Sequence, residues 1–388
     1  MARSVIREFE RAFERRAEVL ADAPGRVNLI GEHTDYHEGF VLPMAVDLRT
    51  CAVAASRDDG LIRIRSKNAG IEVTATWQDL RVGAFRGSAA YLLGPFWALR
   101  EQGLCAGSGA DVYVRGDVPF GGGLSSSASV QVALVALAAT MNRVALSPQE
   151  IARLARRSEN EFCGVPCGVM DQVASACGIA DHAIRLDCRT LDAEPVPVPR
   201  SWAVVVADSG VRHSVAGPEY RRRQAECEQG LAVARRLFPK VRTARDLTDA
   251  HLEQIRSQVP EVSYRRLRHV IRENERVLQA VAAMRDANAS AMGSLLFASH
   301  ESLARDYEVS CEELDRLVEV ASGLPGLIGA RLTGAGFGGN TVNLVERDHA
   351  ESFCAALADR LRARGGRSIW VRIVEPSQGV TSRSLLGD

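Results

Sequence analysis

The chain changes its hydrophobic period several times, and each change marks an element. Over 4–17 apolar residues recur at helical spacing among arginines and glutamates, which predicts an amphipathic helix. Residues 27–30 form a short apolar run stopped by a polar cluster over 31–37. Residues 40–46 and 51–56 read as strands, and 61–66 and 71–77 alternate as antiparallel strands with one polar face do. A helix is expected over 89–102. Residues 110–116 alternate again and deliver the chain to a glycine-rich loop. The run 126–141 is apolar on nearly every face, so that helix should be buried. A further helix over 148–163 has a good start signal in Ser147-Pro148. The prolines of EPVPVP precede a new apolar strand over 202–208, and a domain boundary is expected there, dividing the chain into 1–198 and 199–388. The second half reads as mostly helical over 218–323 and closes with strands near 327–333, 341–346 and 368–374.

The loop between the strand at 110–116 and the buried helix reads PFGGGLSSSAS from Pro119 to Ser129. Glycines let a backbone turn sharply and approach a ligand closely, so several amide N–H groups can converge on one point. Ser125 or Ser126 can cap the helix that follows, whose N-terminal dipole end attracts anions. Such a loop suits a polyphosphate; a plain turn before a buried helix is the alternative. It is not the GxxxxGK[ST] loop, since Lys67 and Lys240 are the only lysines and neither follows it. The dinucleotide pattern GxGxxG is also missing from this stretch. Phosphate charge must therefore be met by amides, hydroxyls, a helix end and a metal ion. Ser127 is a natural hydroxyl on the magnesium side, and Mg²⁺ calls for carboxylate partners as well.

Composition narrows the classes. With 388 residues the chain has room for two domains, and its 48 basic and 48 acidic side chains balance, which gives no reason to expect a nucleic-acid or membrane partner. Nine scattered cysteines fit reduced thiols and a cytoplasmic setting better than a disulfide framework. Cys163 and Cys167 lack the second pair that a zinc site would need. No signal peptide and no membrane span is expected.

Three more segments carry candidate chemistry. RVNLIGEHTDY, from Arg26 to Tyr36, gathers Arg26, Glu32, His33 and Asp35 in a turn after a buried strand. Acids and a histidine so placed offer acceptors for several hydroxyls, as a sugar demands, although a solvated polar loop has the same composition. The apolar FVLPMAV that follows anchors this turn to a core. GVPCGVMDQ, from Gly164 to Gln172, places Asp171 after glycine-rich backbone, where a turn or cap acid is the plain reading. Glu159, on the expected helix, is a candidate second magnesium ligand beside Ser127. LTGAGFGGNTVNLV, from Leu332 to Val345, is either a permissive hairpin or a second backbone loop closing over a ligand.

In this order the segments resemble the GHMP small-molecule kinases, and RVNLIGEHTDY followed by FVLPMAVD narrows the resemblance to the galactokinase family over nearly the whole chain. The resemblance implies an α+β, two-domain GHMP kinase fold with the active site in the interdomain cleft. It implies ATP-dependent phosphorylation of the anomeric hydroxyl of galactose. Arg26 and Asp171 would be the catalytic pair. Glu32, His33, Thr34, Asp35, Gly168 and Tyr220 would hold the sugar, Tyr220 reaching over in SGVRHSVAGPEYRRRQ. Gly121, Gly122, Gly123, Leu124, Ser125, Ser126 and Ser127 would hold the triphosphate, with Ser127 and Glu159 on Mg²⁺. A monomer is expected. A related sugar 1-kinase, acting on N-acetylgalactosamine or arabinose, and a non-catalytic galactose sensor are the alternatives. The chain departs from the family in three places: His37-Glu38 replaces Asn-Gly, Ser88 replaces a tryptophan three residues before Tyr91, and Asn340 replaces a cysteine, the last with little expected consequence.

Overall fold

The computed structural model describes all residues except 106, 212–216, 364–369 and 387–388. The strands in chain order are β1 (Val19–Asn28), β2 (Phe40–Val41), β3 (Pro43–Arg57), β4 (Leu61–Ser66), β5 (Ile71–Thr76), β6 (Gly109–Gly116), β7 (His182–Asp187), β8 (Ala193–Pro197), β9 (Trp202–Asp208), β10 (Leu327–Thr333), β11 (Asn340–Glu346), β12 (Val371–Val374) and β13 (Thr381–Ser384). They form a six-stranded sheet ordered β13-β1-β3-β6-β4-β5, a four-stranded sheet β10-β11-β9-β12 and a small sheet β2-β7-β8. Only β4 and β6 run parallel in these pairings. The prolines of β8 are tolerated because it is an edge strand, where a missing N–H costs no ladder bond.

Helix α1 (Ala2–Phe13) lies on the first sheet through Val5, Phe9 and Phe13 and ends in a left-handed Glu14. It is shorter than the charge pattern over 4–17 suggested. Helices α2 (Ser88–Glu101), α3 (Ser126–Met141) and α4 (Pro148–Arg157) pack together against the sheet's other face. The start of α4 is a full capping box between Ser147 and Glu150. Its end widens into a π-helical turn, Ser158–Phe162, and α5 (Met170–Cys177) follows. The second half supplies α6 (Pro218–Leu237), α7 (Asp249–Ile255), α8 (Glu261–Arg285), α9 (Ala289–Ser302), α10 (Glu312–Ser322) and α11 (Ala350–Ala363). Within the described residues no helix is long and apolar enough to cross a membrane. All nine cysteines are unpaired thiols.

A large apolar cluster bridges the halves. Val27, Leu29, Leu42 and Met44, from β1 to β3, pack with Val204 of β9, Val342 of β11 and Val277 of α8. Burying side chains of this size is worth about 1.5–3 kcal/mol each, so the two halves are held as one packed body at this level. The cleft between them is therefore built on shared core, and the loops at its mouth inherit that rigidity.

Candidate active site

A cavity of about 250 Å³ opens where β1, the glycine loop before α3, the turn before α5 and the β10–β11 loop meet. Gly25 makes the first of these contacts possible. A Cβ there would lie 2.7 Å from the Leu124 carbonyl, which instead accepts the Arg26 amide at 3.1 Å. β1 carries a register break at this point, between Pro24 and Arg26, and the glycine loop is laced to it.

Arg26 is 4% exposed and turned into the cavity. Its Nε donates to Asp171 Oδ1 at 2.9 Å, its Nη2 lies 2.6 Å from the same oxygen, and its Nη1 donates to the Gly123 carbonyl at 2.5 Å. Asp171 stands in the first turn of α5. Its other oxygen accepts the Ser125 hydroxyl at 2.6 Å. Ser125 is the residue before α3 but does not cap it with its side chain. It sits at φ 57, and its hydroxyl goes to Asp171 instead. The start of α3 and the loop amides thus face the same space as the Arg26–Asp171 pair.

Gly121, Gly123, Ser125, Ser126 and Ser127 line the cavity on one side. Gly122 and Leu124 do not: the Gly122 carbonyl accepts from Asn340 Nδ2, and Leu124 is a core side chain. Asn340, expected to matter little, is buried and ties the second glycine loop to the first. The hairpin reading of that second loop holds. It is the turn of the β10–β11 hairpin, and Gly334 and Ala335 close one wall of the cavity.

On the opposite side stand Glu32, His33, Asp35, Gly168 and Tyr220. Burial, followed by the charge of Asp171, raises the Asp35 carboxyl to about 6. Glu32 is 2% exposed; burial raises it, while the Arg331 guanidinium and the Gly334 amide work against that rise. His33 takes a left-handed backbone, φ 63, and burial drives its imidazole down to about 3, so it is neutral. Both ring nitrogens are occupied, Nε2 by the Ala335 carbonyl at 3.2 Å and Nδ1 by the Tyr36 hydroxyl at 2.8 Å. A carbonyl only accepts, so Nε2 carries the proton and Tyr36 donates to Nδ1. Thr34 is buried away from the cavity and bonds the Gly31 and Phe40 carbonyls, which shapes the turn. Tyr220 is placed on α6, while residues 212–216 of the same segment lie outside the described residues. Glu38, in place of the family's glycine, takes the left-handed backbone that glycine would favour, φ 60, and pairs with Arg189.

Glu159 is 5% exposed in the π-helical turn. Its Oε2 accepts from Gln131 at 3.1 Å and from Gln172 at 2.7 Å, and the neighbouring Ser127 hydroxyl works to lower its pKa. Burial first, then Asp171, raises it to about 7. A hydroxyl beside a desolvated carboxylate is a hard-oxygen donor pair that a divalent cation would stabilise in its charged form. No cage of three or more His, Cys, Asp or Glu side chains occurs among the described residues.

Sequence reasoning missed several members of this constellation. Tyr36, Cys167 and Met170 also line the cavity. Gln131 and Gln172 hold Glu159. Arg331, on β10, pairs with Glu32. Arg331 and Gln131 lie far along the chain from the acids they hold, and no local spacing announces them.

Comparison with known proteins agrees with this geometry. The galactokinase galactose-binding signature matches residues 7–56, the GHMP kinase N-terminal domain residues 90–179, and the GHMP kinase C-terminal domain residues 280–363. The chain is 41% identical to a galactokinase of Chloroflexus aggregans over 385 residues, 97% of each chain. It is also 41% identical to human galactokinase over 351 residues, 89% of this chain and 88% of the human one. Its structure is similar to that of Lactococcus lactis galactokinase complexed with galactose, with a TM-score of 0.92 at 30% identity over 98% of this chain and 99% of the other.

Proposed function

The chain belongs to the galactokinase family of GHMP kinases, and from that premise we propose that its cleft moves the γ-phosphoryl group of ATP to the anomeric hydroxyl of α-D-galactose, giving galactose 1-phosphate and ADP, with Arg26 and Asp171 as the catalytic pair. One observation carries the assignment of roles. Asp171 accepts from Arg26 at one oxygen and from Ser125 of the glycine loop at the other, and it lines the same cavity as Glu32 and Asp35, which supports one carboxylate serving both substrates.

The triphosphate rests on the amides and hydroxyls of Gly121–Ser127 and on the N-terminal end of α3. Ser127 and Glu159 would hold Mg²⁺, which supplies charge neutralisation to the phosphates. On the other side Asp35, with the free acceptor capacity of Glu32, receives hydroxyl hydrogens, and Tyr220 and Gly168 bound the ring. Asp171 orients the anomeric hydroxyl and accepts its proton. In a loose transition state the hydroxyl loses its proton late, when its acidity has risen. Arg26 at that moment stabilises the charge of the group in flight.

The strand at 193–197 belongs to the small sheet and the strand at 202–208 to the four-stranded one, and this supports dividing the lobes at 198/199. ADP release measured across galactose, glucose, N-acetylgalactosamine and arabinose tests the substrate. Turnover should be greatest on galactose by at least tenfold in kcat/KM. A preference for another of these sugars, or galactose binding with no turnover, overturns the reading.

A further inference from the structure

We propose that Arg331 is the positioning residue for Glu32, so that the acceptor offered to the sugar is set from the four-stranded sheet on the far side of the cleft. The proposal rests on the reading of Glu32 as a sugar contact and deepens it.

Arg331 has no exposed surface and lies in β10, paired in register with Val342. Its Nη1 donates to the carbonyls of Asn28 at 3.2 Å and Leu29 at 3.1 Å, the last turns of backbone before the sugar-side loop. Its Nη2 forms an ion pair with Glu32 Oε2. One guanidinium therefore grips both the backbone that leads into the loop and the acid the loop presents. A charge this deep is retained only with a partner, and Glu32 is that partner.

The donors around Glu32 divide unequally. Oε2 accepts Asn28 Nδ2 at 2.8 Å and meets Arg331 Nη2 as an ion pair without a hydrogen bond. Oε1 accepts the Gly334 amide at 2.9 Å. The Thr333 hydroxyl lies 3.4 Å from Oε1 but 2.9 Å from the Asn28 carbonyl, and its single proton goes to the nearer acceptor. Oε1 thus keeps one lone pair, and Glu32 borders the cavity. The Arg331 contact at Oε2 fixes which oxygen is paired with the guanidinium and leaves Oε1 as the one with spare acceptor capacity. The guanidinium also works against the rise that burial imposes on this carboxyl, and an ionised carboxylate is an acceptor at both oxygens.

Arg331 could instead serve only to hold the lobes together, and steady-state kinetics on the full chain separates the two roles. Arg331→Met removes the charge and the donors, Arg331→Lys keeps the charge, and Glu32→Gln removes the acid. Each is assayed with galactose and with the four galactoses that lack one hydroxyl at position 2, 3, 4 or 6. Arg331→Met should raise the galactose KM by about 10–100-fold, as Glu32 loses its buried ion-pair partner, with kcat and the ATP KM within threefold. Arg331→Lys should recover at least half of that loss on a logarithmic scale. One deoxy sugar should be indifferent to Arg331→Met, because it lacks the hydroxyl that Glu32 receives, and the same sugar should be indifferent to Glu32→Gln. If every sugar loses affinity equally, or the ATP KM rises as much as the galactose KM, the positioning role is wrong. Should Arg331→Met not fold, Arg331→Lys decides by the same two criteria with a rise of about 3–10-fold. If Glu32→Gln raises the galactose KM while the Arg331 variants do not, only the positioning role falls. If Glu32→Gln leaves it unchanged, the sugar contact itself falls.

Discussion

Ser125 donates its hydroxyl to Asp171 Oδ2 at 2.6 Å, across 46 positions of sequence, and thereby joins the glycine loop to a carboxylate in the first turn of α5. Ser125→Ala should lower kcat by about 10–100-fold, the size expected when a charge-assisted hydrogen bond that aims a base is lost. The galactose KM should move less than threefold. Rapid-quench single-turnover kinetics is the check, and a larger change in sugar binding than in the chemical step would count against an aiming role.

Asp171→Asn keeps the shape of the side chain but gives up the base. Turnover should fall by roughly 2–4 decades, the range of general acid–base contributions. Galactose binding by calorimetry should survive in that variant. Turnover near the parent rate would remove Asp171 from the proton path.

Gly168→Ala is a test by crowding. A Cβ at Gly168 would come 1.7 Å from Asp35 Oδ2, an impossible approach, so the acid must swing away. The galactose KM should rise by about tenfold or more while the ATP KM stays put. A variant with an unchanged galactose KM would show that Asp35 is not a sugar ligand.

Asp35 also sets a pH dependence. Its carboxyl titrates at about 6 in the folded protein, above the ordinary 3.8. If the ionised form receives the hydroxyls, the galactose KM should fall as pH rises from 5 to 7. Stability runs the other way. A raised carboxyl pKa favours the fold fully below the unfolded value of about 4, and that contribution is lost as pH climbs through about 6. Asp35→Asn should therefore abolish sugar turnover yet stabilise the protein at pH 8 by about 1–2 kcal/mol more than at pH 4, after allowance for water in the cavity. Denaturant unfolding at the two pH values measures it.

Glu159→Gln should raise the Mg²⁺ concentration needed for half-maximal turnover by about 10–100-fold. Titration of the metal with a non-hydrolysable ATP analogue bound gives a second, activity-free reading. Unchanged metal affinity would exclude Glu159 as a ligand.

Much of the architecture was legible because it is local. Alternation gave 61–66 as β4 and the apolar run 202–208 as β9 with no error in their bounds. The buried helix after the serines is α3, whose inward residues from Ala128 to Ala139 leave almost no polar face. What periodicity could not give was partnership. The EPVPVP prolines read as a boundary, yet part of them forms β8, because an edge strand needs only half of its backbone groups paired. The helix expected over 148–163 is interrupted by a wide turn at Ser158–Phe162, which no propensity predicts. Arg26, Asp171, Glu32 and Asp35 were found from motif and resemblance, whereas Arg331 sits 299 positions from Glu32 and only tertiary structure joins them. Local patterns report which residues form an element; only packing decides which charges meet.

Strand β13, Thr381–Ser384, pairs with Val19–Asp22 at the opposite end of the sequence. During synthesis, β1 must wait with that edge bare until β13 has emerged. Shortening the chain before Thr381 should therefore harm the sheet that carries Arg26 and leave the newly made protein prone to stray edge-to-edge pairing, although β13 lines no part of the cavity.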